Sequence, residues 1–149
     1  MKKYNFELQS LLNIKEQKED LLMNQLSTQR NLIQDIKDNL LRLKDKREND
    51  IKEFESSVKN NSNIYQITSF YSYLEKVDTN IKDLEQILLK ENEKLNSIIE
   101  NLKIASKEKK VLEKLREKNL NSYKRELILE ENKLNDERNS YIHFSDNNN

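Results

Sequence analysis

Not one glycine or proline occurs among the 149 residues. At ordinary usage of about 7% Gly and 5% Pro, roughly 18 of the two would stand in a chain of this length. Glycine gives a chain its sharp turns and left-handed helix ends, and proline breaks helices. A compact domain of five or more elements needs such positions, so the sequence predicts one or two very long elements. Leu and Ile dominate the apolar set, a single alanine stands at residue 105, and 36% of residues are charged. That mixture is the composition of long helices and coiled coils.

Hydrophobic residues make up 34% of the chain, too few to fill a globular core but enough for one narrow stripe along a helix. High charge and low hydropathy also suit a disordered chain. Against disorder stand the balance of 27 basic and 27 acidic residues and the regular spacing of the apolar ones. Without cysteine there is neither a disulfide framework nor thiolate chemistry, as suits a reducing compartment. Met1-Lys2-Lys3 resembles the start of a signal peptide, but Tyr4-Asn5-Phe6-Glu7 follows where an apolar run would be required. Apolar runs stop at three residues, as in Ile87-Leu88-Leu89, far short of a membrane span. A soluble, cytoplasmic protein is the expectation.

From Leu8 a line runs through Leu12, Lys15, Glu19, Leu22, Leu26, Gln29, Ile33, Ile36, Leu40, Leu43 and Arg47 in alternating steps of four and three. This is a heptad seam interrupted by polar residues, and it shifts by one at Ile51, Phe54 and Val58. Residues 59–63 (Lys59-Asn60-Asn61-Ser62-Asn63) carry no apolar side chain. Asn tolerates the left-handed region and Asn or Ser caps a following helix, which predicts a turn there. The seam resumes at Ile64, Ile67, Tyr71, Leu74, Ile81, Leu84, Leu88, Leu95, Ile98, Leu102, Ala105 and Leu112, then more loosely at Leu120, Tyr123, Leu127, Leu134 and Tyr141. The prediction is an all-α fold in a single domain over 1–149. Helix one (3–58) and a longer helix two (64–141) form an antiparallel coiled-coil hairpin, followed by a frayed tail (142–149). Folding about residue 61 leaves helix two without an internal partner beyond about Lys118, although apolar residues continue there. Such a stripe predicts an external partner.

Signs of chemistry are few. The sole histidine, His143, lies in the expected tail, and no Glu-x-x-His pair of the kind that builds metal sites in helical bundles is present. A phosphate-binding loop needs glycine. The run Lys107-Glu108-Lys109-Lys110 is diluted by Glu108 and Glu113 and reads as a solvated face rather than a nucleic-acid site. No cofactor, metal, small-molecule ligand or nucleic-acid partner is expected, and no catalysis. Tyr65, Phe70, Tyr71 and Tyr73 cluster just past the turn. They suit packing of the hairpin tip against Phe54 and Val58, yet four aromatics exceed what one seam buries, so part of the cluster suits a partner.

Two stretches carry a family resemblance. The start reads Phe6-x-Leu8-x-x-Leu11-Leu12-x-Ile14-Lys15-x-x-x-Glu19. The far part reads Lys110-Val111-Leu112-Glu113-Lys114-Leu115-Arg116-Glu117-Lys118, then Tyr123, Glu126 and Leu134-Asn135-Asp136-Glu137. Together they resemble the FliJ family, coiled-coil components of the flagellar type III export apparatus. The resemblance implies a stalk similar to that of rotary ATPases, working in the cytoplasm peripheral to the inner membrane at the flagellar base. It implies insertion of the end carrying both termini into the hexameric ring of the export ATPase, here through Lys114, Arg116, Tyr123, Leu127 and Leu134. It also implies contact with the cytoplasmic linker region of the transmembrane export gate, and escort or recycling of export chaperones. Phe70-x-x-x-Leu74-Glu75-Lys76-Val77 looks like the family's gate-binding pattern, so Phe70, Leu74 and Val77 are the implied gate residues; the matching stretch of helix one is too diverged to align. A non-catalytic coiled-coil scaffold, or the equivalent stalk of a virulence-type secretion system, are the alternative readings.

Overall fold

The computed structural model describes residues 3–59 and 63–147. It contains two helices, α1 (Gln9–Val58) and α2 (Ile64–Asn147), packed against each other as an antiparallel hairpin with the second helix the longer. Among the described residues there is no strand, and no helix is long and apolar enough to cross a membrane. The expected turn falls mostly on residues 60–62, outside the described residues. On its far side Asn63 does cap: its side-chain oxygen accepts from the Gln66 backbone N–H at 2.9 Å. This satisfies one of the first-turn donors that α2 cannot pair internally.

Both outer helix ends differ from expectation. Helix one starts at Gln9 rather than residue 3, because residues 3–8 leave the helical path. The Gln9 N–H bonds the Phe6 carbonyl at 3.0 Å, and the Phe6 side chain turns inward to 5% exposure. Helix two runs through 142–147, where a frayed tail was expected. Nothing in that segment has the backbone chemistry to stop a helix.

Packing divides the chain into two compact units, Asp20–Leu102 and Met1–Glu19 with Lys103–Asn149. In the first, Phe54 meets Phe70, Arg47 meets Asp78 and Gln29 meets Glu91, so one strand of the hairpin descends as the other climbs. Its buried apolar residues are Leu22, Ile33, Ile36, Leu40, Val77 and Ile98. In the second unit Tyr4 meets Arg116, Lys15 meets Glu108 and Glu19 meets Lys109, around a core of Phe6, Leu12 and Leu112 with Tyr4 packed against it. Leu12 and Ala105 are each 1% exposed.

The polar residues in the α1 seam are the informative ones. Each reaches a polar partner on α2. Lys15 Nζ lies 2.7 Å from the Glu108 carboxylate, and Lys109 Nζ lies 3.0 Å from that of Glu19. The Gln29 amide donates to the Glu91 carbonyl at 2.9 Å and to its carboxylate at 2.5 Å. Arg47 places Nε 2.6 Å and Nη2 3.4 Å from the two oxygens of Asp78. Sliding one helix by a residue would leave these groups unpaired, at a cost of about 1–3 kcal/mol for each buried one. The basic run at 107–110 is therefore only half a solvated face, since Glu108 and Lys109 serve the seam.

The seam read from the sequence matches most buried positions. Six expected members are exposed: Leu8 and Val58 at 37% each, Ile64 at 82%, Tyr71 at 61%, Leu134 at 63% and Tyr141 at 75%. Phe70 and Val77 hold the seam at the start of α2 instead, one residue out of step with Tyr71.

Two outcomes follow. Ala105 is the only alanine in the chain, and it stands where the interface has no room. Ala105→Leu should lower stability by about 1–3 kcal/mol through overpacking, measured by urea unfolding followed by circular dichroism. An unchanged midpoint would mean that the site has slack.

The Glu19 carboxyl is held below its ordinary 4.5, chiefly by the Lys109 hydrogen bond and then by Ser106; that bond also raises Lys109 above its ordinary 10.5. Glu108 is likewise lowered by Lys15. A depressed carboxyl stabilises the fold above 4.5 and ceases to as pH falls through its lower folded value. Glu19→Gln should melt about 2–4 °C below the parent at pH 7. The gap should close as pH drops well below 4.5; a gap that persists there would rule out the charge as its source.

Candidate partner-binding surfaces

Near the turn, Phe54 and Phe70 stack with ring centroids 3.9 Å apart and planes at 14°. Tyr71 meets the edge of Phe70 at 6.4 Å, and Tyr73 lies 6.2 Å away on its other neighbouring side. The Tyr73 hydroxyl donates to Asp50 at 2.7 Å, and this bond to a carboxylate keeps its phenol above the ordinary 10.0. Two open hollows use the stacked pair as a shared wall. One, of about 740 Å³, is lined among others by Ile51, Val58, Tyr71 and Leu74; the other, about 640 Å³, by Ser57, Tyr65, Ser69 and Tyr73. Tyr65 and Tyr71 are 81% and 61% exposed, so the aromatic cluster divides between packing and presentation.

The expected gate residues fall into three different settings. Phe70 is half-buried in the stack, Leu74 is half-buried in the wall of the larger hollow, and Val77 lies in the seam at 6% exposure. Tyr71 and Ile51, which line the same hollow, were not among the expected site residues. Tyr71 was expected both in the seam and in the aromatic cluster; Phe70, stacked on Phe54, takes the seam place.

In the terminal unit, the segment before α1 clasps α2. The Tyr4 hydroxyl donates to the Arg116 carbonyl at 3.1 Å, and its ring lies 5.5 Å from that of Tyr123. Tyr123 therefore has an internal neighbour, contrary to the expectation that nothing beyond Lys118 would. The chain's own cover reaches further because Tyr4, in the non-helical segment before α1, lies against α2. Leu120, Tyr123 and Leu127 are half-buried, and every described residue from 128 on is exposed. Of the expected ring-binding residues, Lys114 and Arg116 are exposed, Tyr123 and Leu127 half-buried, and Leu134 63% exposed. Tyr141, Ile142 and Phe144 extend this uncovered surface. His143 sits beside Asn147 on the exposed helix end.

A second apolar strip flanks the same unit and was absent from the sequence reading, which followed a single seam. Leu11 (40% exposed) and Ile14 (57%) lie on α1, and Ile104 (53%), Val111 (66%) and Leu115 (37%) on α2. Their spacing is heptad-like but offset from the seam, which is the signal that would have revealed them.

No curated protein and no solved structure shows a significant match. One family model, that of the flagellar FliJ protein, matches residues 4–148. That span takes in the clasp, both helices and the exposed end of α2, so the chain belongs to the FliJ family and is a coiled-coil protein associated with flagellar export.

Proposed function

We propose that the chain works as a central-stalk-like coiled coil of the flagellar type III export apparatus. It inserts its terminal unit into the ring of the export ATPase, promotes the ring's activity and couples it to the transmembrane export gate. The observation that carries this reading is the exposed end of α2. A helix of some 20 residues is marginal alone in water, and among the described residues nothing covers Leu134, Tyr141, Ile142 and Phe144. Within a flagellar export family, the ring of the ATPase is the partner that suits such an end. Lys114 and Arg116 extend the contact up the helix, while Tyr123 and Leu127 join the covered and uncovered stretches. Work in the cytoplasm at the flagellar base and escort of export chaperones follow from the family resemblance.

The gate contact is assigned to the hollow lined by Ile51, Phe54, Val58, Phe70, Tyr71 and Leu74. Phe70 and Leu74 form its wall, Tyr71 offers a largely exposed ring, and Val77 anchors the helix beneath. An apolar hollow with an exposed aromatic lip suits a short amphipathic segment such as a linker.

Removal of residues 128–149 should leave a helical hairpin with a melting temperature close to that of the parent. The truncated protein should no longer stimulate the export ATPase, read as phosphate release at saturating ATP. Full stimulation would remove this segment from the ring contact.

At the gate, Tyr71→Ala should weaken binding to the isolated linker region by about 2 kcal/mol, roughly thirtyfold in Kd, without loss of stability. Phe70→Ala should lower both affinity and melting temperature, because it also breaks the stack with Phe54. Titration calorimetry and thermal melts separate the two. Wild-type affinity in Tyr71→Ala would refute the hollow as the gate site.

A further inference from the structure

The lateral strip of the terminal unit and the exposed end of α2 are chemically complementary. On α1, Leu11 shares a face with Lys15, four residues on. On α2, Ile104, Val111 and Leu115 share a face with Glu108, at offsets of minus four, three and seven. Lys15 and Glu108 are joined at 2.7 Å, so the two faces meet along one side of the unit. The result is an apolar strip on both helices that borders the seam at the Lys15–Glu108 pair. Its rim is basic: Lys18, Lys107, Lys114 and Lys118 are all exposed.

Charge is distributed unevenly along this part of α2. Residues 107–125 hold eight Lys or Arg against three Glu, a net of +5; residues 126–146 hold six Asp or Glu against two basic residues, a net of −4. The acidic block is also the one with uncovered apolar residues. Leu127, Leu134 and Tyr141 recur every seven residues on one face, with Ile142 and Phe144 beside them. Two such ends pair poorly with each other, because Glu130 and Glu137 border that same face. They match the basic-rimmed strip instead.

We infer that a second copy of this chain docks its acidic end, residues 126–147, onto the lysine-rimmed strip of the first, and receives the first copy's end in return. The exchange is a two-fold arrangement with equal contacts on both sides. Antiparallel passage of one α2 beside the other about residue 125 sets Leu134 within one residue of level with Leu115, and Tyr141 and Ile142 within one turn of Val111. Lys114 then stands beside Asp136 and Glu137, Glu117 beside Lys133, and Lys124 beside Glu126. Glu113 falls between Glu137 and Arg138. Overlap over residues 107–143 runs for about 54 Å of helix. The inference goes beyond the stalk reading and does not depend on it, since no ATPase or gate takes part.

Sedimentation of the full chain alone over a concentration series tests it. A monomer–dimer equilibrium is expected, with Kd rising about tenfold or more from low to high salt as the charged rim is screened. Removal of 128–149 should abolish the dimer, and so should Lys114→Glu with Lys118→Glu, helicity being retained in both. The chain has no cysteine, so crosslinking gives a geometric test. Leu115→Cys mixed with Leu134→Cys should form a disulfide-linked dimer under mild oxidation, and neither variant alone should do so. A monomer at every concentration would overturn the inference. So would a dimer that survives the truncation, or a crosslink formed by either single variant alone.

Discussion

Each polar residue that interrupts the apolar seam of α1 has to find its partner on α2, and this requirement governs the rest of the structure. Leucine on leucine tolerates a slide of one turn; Arg47 on Asp78 or Lys109 on Glu19 does not. Removing such groups from water is costly unless they pair. Polar positions within heptads set register at some expense of stability. Here they do so at four levels, from Lys15 to Arg47. The close fit at Ala105 and the clasp of Tyr4 on Arg116 both presuppose that register.

The fold was legible because one regular signal dominates. Alternating steps of four and three identify the buried face of α1, with Leu12, Leu22, Ile33, Ile36 and Leu40 among the best-covered residues. The site was less legible. Tyr71 and Phe70 are adjacent, and periodicity alone could not say which enters the seam; the ring of Phe54 opposite decides it by stacking. The clasp could not be read from helical spacing, because residues 3–8 are not helical. The polar seam residues were visible as interruptions, but their partners required the register, which a sequence pattern gives only to within a few positions.

Membership of the FliJ family gives this economy of structure a setting. A two-helix chain meets partners through its surfaces, and besides the lateral strip of the terminal unit two of them carry exposed apolar groups. Near the turn they are aromatic and border two hollows that share the Phe54–Phe70 wall. On the terminal part of α2 they lie on a helix that has outrun its partner. The same absence of glycine and proline that makes long helices also leaves no built-in stopping point for α2, so the overhang arises directly from composition.

The order of contacts along the chain implies an order of folding. Phe54 and Phe70 are near neighbours in sequence, so their stack closes a short loop at little entropic cost. Tyr4 and Arg116 are 112 residues apart, and during synthesis the clasp waits for nearly the whole of α2 to appear. Glu19 must meanwhile remain solvated, since Lys109 lies 90 residues further on. The hairpin therefore zips from the turn towards the termini, and each step shortens the loop that the next must close. A nascent chain halted before residue 109 would hold a closed turn and an α1 whose first turns still lacked their partners. The contacts of the terminal unit are thus the last that synthesis can complete.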